Sequence, residues 1–577
     1  MGHTIHKNRI VSVFIFFLIL QSLLCARLFY LQIVRSLNLT KIADSQHKVL
    51  FELEPRRGTI YDRNMYKLAF NINADSVYAM PRDIPDEEKP AIASRLASIL
   101  KMREESILDK LDRDKGFVWI KRKISEEEAL GVRSQKTRGI DLIKESKRLY
   151  PNGFLAAHLL GFAGLDDEGL DGLELLYDKY LRGRAGYRAT NRDAKRRSLP
   201  AHDEKFLAPV NGFNLVLNID ETIQNIAEQA LDTAFRKYRA SGAVVIVMEP
   251  RTGEILAFAN RPTYDPNLFS KATADERRDR AVTDAFEPGS VFKIVTASCA
   301  LEKGIVSPLD RFFCENGKYW VAGHTLHDHE PYGTLTFREV IEKSSNIGTV
   351  KVAQKIPPRD LYAFVKSFGF GQTTGVDLKG EIDGTTHPPE RWSKATVSAL
   401  PIGQEVTATV IQLTCAMAVI ANGGNLVRPW IVREVRDDQG EQIMGFEPLV
   451  IRRAISEETA RQMRDILQGV VERGTGTFAR LETYTAAGKT GTAQKIDPSG
   501  LYSHSKFFAS FIGFAPASDP RIVVAVCLDE PHPLYYGGIV SAPVFKKVAE
   551  DTLRYLGVPS DLARPAPLKT GTHARKD

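Results

Sequence analysis

The chain has 577 residues, 43% of them apolar and 26% charged, with a formal net charge of +7. That length suits two or three domains, and the balance excludes a disordered or fibrous chain. So small a positive excess does not by itself point to nucleic acid; anionic lipid headgroups or an anionic polymer satisfy it equally well.

Ile10 to Ala26 is a run of 17 uncharged residues, IVSVFIFFLILQSLLCA. At ~1.5 Å per residue it spans about 25 Å, slightly short of a ~30 Å hydrocarbon core. Arg27 can snorkel, and Leu28, Phe29, Tyr30 and Leu31 continue the apolar face. A cleaved signal peptide is the rival reading. However, no A-x-A site follows, and Leu24 before Cys25 is too bulky for a lipoprotein site. An uncleaved anchor over residues 10–34 is expected, after a short tail of residues 1–9. Charge gives no orientation, since Lys7 and Arg9 precede the run and Arg27, Arg35, Lys41 and Lys48 follow it.

After the anchor, PRRGTIYDRNMYKLAFN places turns at Gly58 and Asp62-Arg63 between short strands. Residues 84–111 read as a surface helical region. GLDGLELLYDKYLRGRAG reads as one amphipathic helix flanked by glycines. The stretch 192–205, RDAKRRSLPAHDEK, is polar and has no apolar period, so the main boundary is set just after it, near Pro209. Beyond it a strand is expected at 215–220 and a helix at 222–238. Next come two apolar runs joined by Pro250-Arg251-Thr252-Gly253, a hairpin by its turn chemistry. Helical stretches and a buried strand at 521–529 follow. Strands at both ends with helices between imply one antiparallel sheet covered by helices, an α+β fold. Residues 558–577 read as a flexible tail, and there is no internal repeat.

Five cysteines occur, Cys25, Cys299, Cys314, Cys415 and Cys527, none in a C-x-x-C or metal-ligand spacing. Zinc and thiol-redox chemistry are therefore not expected, and buried free thiols are preferred to a single bridge such as Cys299–Cys314. His324, His327, Asp328 and His329 form a small cluster that invites a metal. Nothing else in the sequence needs one, and the expectation is a structural or solvated loop, with no metal and no cofactor.

The chemistry starts at Ser290-Val291-Phe292-Lys293, an S-x-x-K after Pro288-Gly289. Three residues apart on a helix, hydroxyl and amine share a face, and the amine can take the hydroxyl proton if burial or a cation lowers its pKa. The motif alone is weak, because it recurs at Ser45–Lys48, Ser98–Lys101 and Ser503–Lys506. Order and spacing strengthen it. Ser344-Ser345-Asn346 begins 54 residues after Ser290, and Lys489-Thr490-Gly491-Thr492 begins 143 residues after Asn346. S-x-x-K, S-x-N and K-T-G in this order are the signature of penicillin-interacting serine enzymes. Lys569-Thr570-Gly571-Thr572 repeats the last motif in a Pro-containing tail without strand character, and is set aside. Gly488-Lys489-Thr490 is not the end of a phosphate loop, because Thr483 stands where that loop needs glycine.

From Arg56 to about Gly557 the chain resembles a class B penicillin-binding protein, the monofunctional D,D-transpeptidase type. Arg57-Gly58-Thr59-Ile60-Tyr61-Asp62-Arg63-Asn64 and Gly172-Leu173-Glu174 are similar to its pedestal motifs, and Tyr536-Gly537-Gly538 and Ala542-Pro543-Val544-Phe545 also match. His327-Asp328-His329 with Gly333-Thr334-Leu335-Thr336 is similar to division-specific members. Met65 and Glu405 depart from the pattern, each standing where a glycine is usual. The resemblance implies a transmembrane helix, an elongated mixed pedestal over 35–208 and a transpeptidase domain over 209–557. It also implies an acyl-Ser290 intermediate formed from a D-Ala-D-Ala stem peptide. Lys293, Ser344, Asn346 and Lys489 would serve catalysis, and Thr490, Gly491 and Thr492 would bind substrate. Arg57, Asp62 and Arg63 would form a structural ion-pair network.

Implied partners are stem peptides, β-lactams as covalent inhibitors, a polytopic SEDS-family glycosyltransferase and other divisome membrane proteins, and no nucleic acid. The implied place is the bacterial cytoplasmic membrane, with residues 1–9 cytoplasmic and the catalytic domain periplasmic. Alternatives within the fold are an elongation-specific enzyme or a catalytically silent division scaffold. A β-lactamase would not need a pedestal or an anchor. A β-lactam receptor would need a signalling domain that nine residues cannot supply.

Overall fold

A computed structural model describes residues 2–36, 48–192, 198–199, 206–497 and 499–562. The 569–572 repeat, the tail beyond Leu562, Ser45 of the first S-x-x-K and most of the 192–205 stretch lie outside the described residues. The described residues form two units. One comprises the residues up to Arg56 with Gly183–Asn211; the other comprises Arg57–Arg182 with Gly212 onward.

In the first unit, helix α1 (Gly2–Phe29) continues through a π-turn at Tyr30–Val34. From Lys7 to Val34 it is 28 residues of apolar helix, none of its most apolar window buried in the protein. At ~1.5 Å per residue that is about 42 Å, long enough to cross a membrane. The same unit carries a small antiparallel sheet in which Lys48–Leu53 and Gly186–Arg192 pair, with Ser198–Leu199 and Phe206–Leu207 alongside.

The second unit begins with the pedestal segment. Lys67–Ala79 pairs antiparallel with Ile140–Leu149, from Phe70 opposite Leu149 to Ala79 opposite Ile140. The helices Lys89–Leu100 and Glu104–Leu111 put Ile92, Leu96, Leu100, Ile107 and Leu111 into a small core with Val77, Val118 and Ile120. The region expected at the surface therefore has a buried apolar face. Residues 172–181 are two short helices, Gly172–Leu176 and Asp178–Leu181, where the sequence pattern gives one. The reason is tertiary: Asp178 Oδ1 accepts the Gly169 N–H at 2.7 Å and Arg57 Nη1 at 2.6 Å.

Arg57 also donates Nε to Glu174 Oε2 at 2.6 Å, and Arg148 Nε donates to Glu174 Oε1 at 2.6 Å, all three side chains being buried. Burial would raise the Glu174 carboxyl, but Arg148 and Arg57 hold it below the usual carboxylate range. Asp62 is instead a turn carboxylate. It accepts the N–H groups of Asn64 and Tyr66 on Oδ1, each at 2.8 Å, and that of Glu221 on Oδ2 at 3.1 Å. Arg63 stands 3.7 Å from Glu254.

The rest of this unit is built on a five-stranded antiparallel sheet of β1 (Gly242–Met248), β2 (Ile255–Arg261), β3 (Ala487–Ile496), β4 (Tyr502–Ala515) and β5 (Ile522–Asp529), ordered β2-β1-β5-β4-β3. The β1–β2 turn is the expected one: Gly253 takes φ +80°, and Glu249 Oε2 accepts the N–H groups of Arg251 and Thr252 at 3.0 and 2.6 Å. Strand alternation divides β1 between two cores. Val244, Ile246 and Met248 face one core, and Ala243, Val245 and Val247 the other. On the second face lie α2 (Glu221–Lys237), through Ile223, Ala227, Leu231 and Ala234, and α7 (Ala542–Tyr555), through Phe545, Val548 and Ala549. Asp220 caps α2 by accepting the N–H groups of Thr222 and Ile223. On the first face lie α3 (Lys293–Glu302), α4 (Asn346–Ala353), α5 (Val410–Ala421) and α6 (Glu457–Glu472). All of α5 is buried, the pattern of a helix with no solvent face. Cys299, Cys314, Cys415 and Cys527 are buried free thiols, and Cys25 is exposed.

Candidate active site

Local backbone chemistry fixes Ser290. Gly289 takes φ +53°, and its N–H donates to Gly403 O at 3.0 Å. A Cβ on Gly403 would lie 2.1 Å from Gly289 O, so only glycine fits against the turn. Ser290 belongs to a short 3-10 turn, Gly289–Phe292, that runs into α3. Val291 and Phe292 are fully buried and pin this turn to the core, while Ser290 lines a cleft of about 890 Å³.

Lys293, one turn on, is fully buried. Its Nζ donates to Ser344 O at 2.6 Å and Asn346 Oδ1 at 2.8 Å, and Ser344 Oγ is 3.3 Å away. Burial pushes the Lys293 amine down to about 7, against the opposing pull of Asp328. Ser344 has φ +59°, a left-handed conformation that costs a residue with a Cβ.

The K-T-G segment lies on β3, an edge strand of the sheet. Lys489 is fully buried and donates to Ser344 Oγ at 2.8 Å and to Thr490 O at 3.2 Å. Burial pushes its amine well down, and the neighbouring Lys293 adds to the effect. A Cβ on Gly491 would stand 2.9 Å from Val291 Cγ2 and 2.3 Å from Ser510 Oγ, so the glycine lets β3 pass against the serine turn. Thr490 Oγ1 lies 2.7 Å from Thr475 Oγ1, and Thr492 Oγ1 accepts the Gly537 N–H at 3.1 Å.

The three motifs thus meet: Lys293 and Lys489 reach the same Ser344 hydroxyl. Ser290, Ser344, Asn346, Thr490 and Thr492 line the one cleft. Sequence reasoning missed Thr475, Arg473, Gln494 and Phe507 in that lining, and nothing in their spacing marks them. Phe507 stacks on Tyr535 with centroids 4.0 Å apart, and Tyr535 lies 4.6 Å from Tyr536. His329 packs 5.3 Å from the Tyr536 ring. Among the described residues no three His, Cys, Asp or Glu side chains group as a metal site.

Known proteins resemble this chain over most of its length. The family described as "Penicillin binding protein transpeptidase domain" matches residues 243–550, and "Penicillin-binding Protein dimerisation domain" matches 52–217. Stage V sporulation protein D of Bacillus subtilis is 36% identical, over 96% of this chain and 86% of that protein. The probable peptidoglycan D,D-transpeptidase PenA of Neisseria gonorrhoeae is 34% identical over 98% of this chain and 96% of its own. Peptidoglycan D,D-transpeptidase FtsI of Escherichia coli is 31% identical over 93% and 90%. The crystal structure of penicillin binding protein 3 from Mycobacterium tuberculosis complexed with aztreonam superposes with TM-score 0.70 and 31% identity, over 88% of this chain and 98% of that one.

Proposed function

This chain belongs to the class B penicillin-binding proteins, serine-type peptidoglycan D,D-transpeptidases, and from that premise we propose how its cleft performs the reaction. The observation that carries the reading is the Ser344 hydroxyl within reach of both buried lysines. In the neutral Lys293 amine, two hydrogens are held by Ser344 O and Asn346 Oδ1, which leaves the lone pair to take a proton. Ser290 Oγ gives up that proton as it attacks the penultimate carbonyl of a stem peptide ending in D-Ala-D-Ala. The N–H groups of Ser290 and Thr492 hold the oxyanion, a contribution of about 3 kcal/mol per donor. Ser344 passes a proton to the departing D-Ala nitrogen, and Asn346 also holds a substrate amide. The hydroxyls of Thr490 and Thr492 bind the terminal carboxylate, whose charge draws a proton back onto Lys489. An amine of a neighbouring stem peptide then attacks the acyl ester and frees Ser290; water in its place gives carboxypeptidation.

The test is the intact mass of the full chain in detergent after incubation with penicillin, beside Ser290→Ala. One adduct that the variant lacks supports the reading. A folded wild-type protein with no adduct would make it a silent scaffold.

The His327-Asp328-His329 loop and the Gly333–Thr336 segment favour septal over elongation work. On depletion, filamentous cells support this and rounded cells overturn it. The pedestal is read as the surface that meets a SEDS-family glycosyltransferase and other divisome membrane proteins. Because the substrate is wall peptide, α1 is read as the single-pass anchor of a periplasmic catalytic domain. A reporter fused after residue 577 that reads cytoplasmic would exclude that orientation.

A further inference from the structure

Two short strands, β-hairpin partners Lys318–Val321 and His324–His327, end in a loop that the reaction leaves unused. Within it, Asp328 holds the S-x-N segment at three points. Its Oδ1 accepts the N–H groups of Asn346 at 2.6 Å and Ile347 at 3.0 Å, and its Oδ2 accepts the Ser345 hydroxyl at 2.6 Å. The neighbouring His327 O accepts Asn346 Nδ2 at 3.0 Å. Both ends of the Asn346 amide are therefore fixed, one by this loop and the other by Lys293. The loop is itself anchored, because the Asp328 N–H donates to Gly317 O at 3.2 Å and Leu326 is buried.

Asp328 Oδ1 caps the first two N–H groups of α4, and Ser345 Oγ caps the Gly348 N–H at 2.9 Å. Capping does not use Oδ2, which holds the Ser345 hydroxyl. What does need an outside restraint is Ser344, whose φ of +59° is left-handed. We propose that Asp328 is a positioning residue for acylation: it fixes the Ser344–Asn346 turn so that Ser344 O and Asn346 Oδ1 stay on Lys293 Nζ. The inference rests on the reading of Lys293 as the base that activates Ser290.

A second consequence is electrostatic. Asp328 opposes the lowering of the Lys293 amine by burial, while Lys489 faces the same hydroxyl from β3. Cys314 and Tyr332 also feel the Asp328 charge. Without that charge the Lys293 amine loses its proton at lower pH. A purely structural role predicts fewer folded molecules and an unmoved pH midpoint.

The test measures acylation by a fluorescent penicillin against pH, on full-length wild type, Asp328→Asn and Asp328→Glu in detergent, with thermal melts alongside. In Asp328→Asn the side-chain oxygen still accepts backbone N–H groups, but the NH₂ cannot accept the Ser345 hydroxyl and the charge is gone. The plateau rate is expected to fall about 10- to 100-fold, the scale of a small misplacement. The midpoint should move to lower pH, and Asp328→Glu should restore it. Wild-type rate and midpoint in Asp328→Asn, or a loss only in proportion to unfolded protein, would overturn the proposal. If Asp328→Asn does not fold, Ser345→Ala decides, since it removes the Oδ2 partner but keeps the charge. A slower plateau with an unmoved midpoint supports the proposal, and an unchanged plateau overturns it. Failure of wild type to form an adduct would instead sink the base assignment itself, so the two failures are distinct.

Discussion

Raising the pH through about 7 should switch the Ser290 nucleophile on. Lys293 is fully buried, and burial pushes its amine from 10.5 down to about 7. At the ordinary value about one amine in 3,000 would be neutral at pH 7, whereas here about half are. The second-order acylation rate reports the free enzyme, so it should rise about tenfold per pH unit below 7 and level off above it. Stopped-flow acylation by a chromogenic or fluorescent β-lactam from pH 5.5 to 9 measures this directly. A flat profile, or a midpoint near 10, would refute Lys293 as a base prepared by burial. The same depression has a stability consequence of definite sign. Between about 10.5 and 7 the unfolded chain binds this proton and the folded chain does not, so stability falls as pH drops through that window. The penalty is complete below about 7, reaches about 5 kcal/mol, and vanishes above the unfolded value. Lys293→Met should abolish acylation and remove this pH-dependent part. Its stability relative to wild type should therefore shrink steadily from pH 7 to pH 10, and a constant difference would contradict the argument.

Glu174→Gln leaves Arg57 and Arg148 buried around a neutral side chain, and is expected to cost about 3–5 kcal/mol in denaturant unfolding of the full chain. Acylation per folded molecule should be unchanged, and a loss below about 1 kcal/mol would mean that the pedestal network is dispensable. Met65 holds φ +69° in the turn after Asp62, where its N–H donates to Asp62 O at 3.1 Å. Met65→Gly is expected to stabilise by about 0.5–1 kcal/mol and Met65→Val to destabilise by more than ~1 kcal/mol, both read from thermal melts. A glycine variant less stable than wild type would refute the strain assigned to this turn.

Periodic features were legible in the sequence because they depend on neighbours close in the chain. The apolar run of β1, the Pro250–Gly253 turn and the helix expected at 222–238, found as α2, all have ranges of a few residues. The break at Tyr177 was not legible, since it follows from Asp178 reaching Arg57, 121 residues away. Nor was the work of Asp328, which reads as part of a histidine cluster until the 345–347 segment is folded against it. Both residues that depart from the family pattern by lacking a glycine, Met65 and Glu405, have positive φ, at +69° and +57°. The backbone demands of the pattern persist here although its side-chain preference does not.

The S-x-x-K motif shows where spacing stops being informative. Ser98–Lys101 and Ser503–Lys506 have the same spacing as Ser290–Lys293, yet Lys101 and Lys506 are exposed to water while Lys293 is fully buried. Spacing sets which face of a helix two side chains share, but proton affinity is set by solvation and by charges brought from elsewhere. For Lys293 those are burial, which lowers the amine, and the opposing charge of Asp328, 35 residues on, while Ser344 and Asn346, more than 50 residues on, hold its hydrogens. The spacing shared by the three pairs therefore says nothing by itself about proton transfer. The order of three motifs along the chain is therefore the strongest sign of function that the sequence carries, because only folding brings the second and third onto the first.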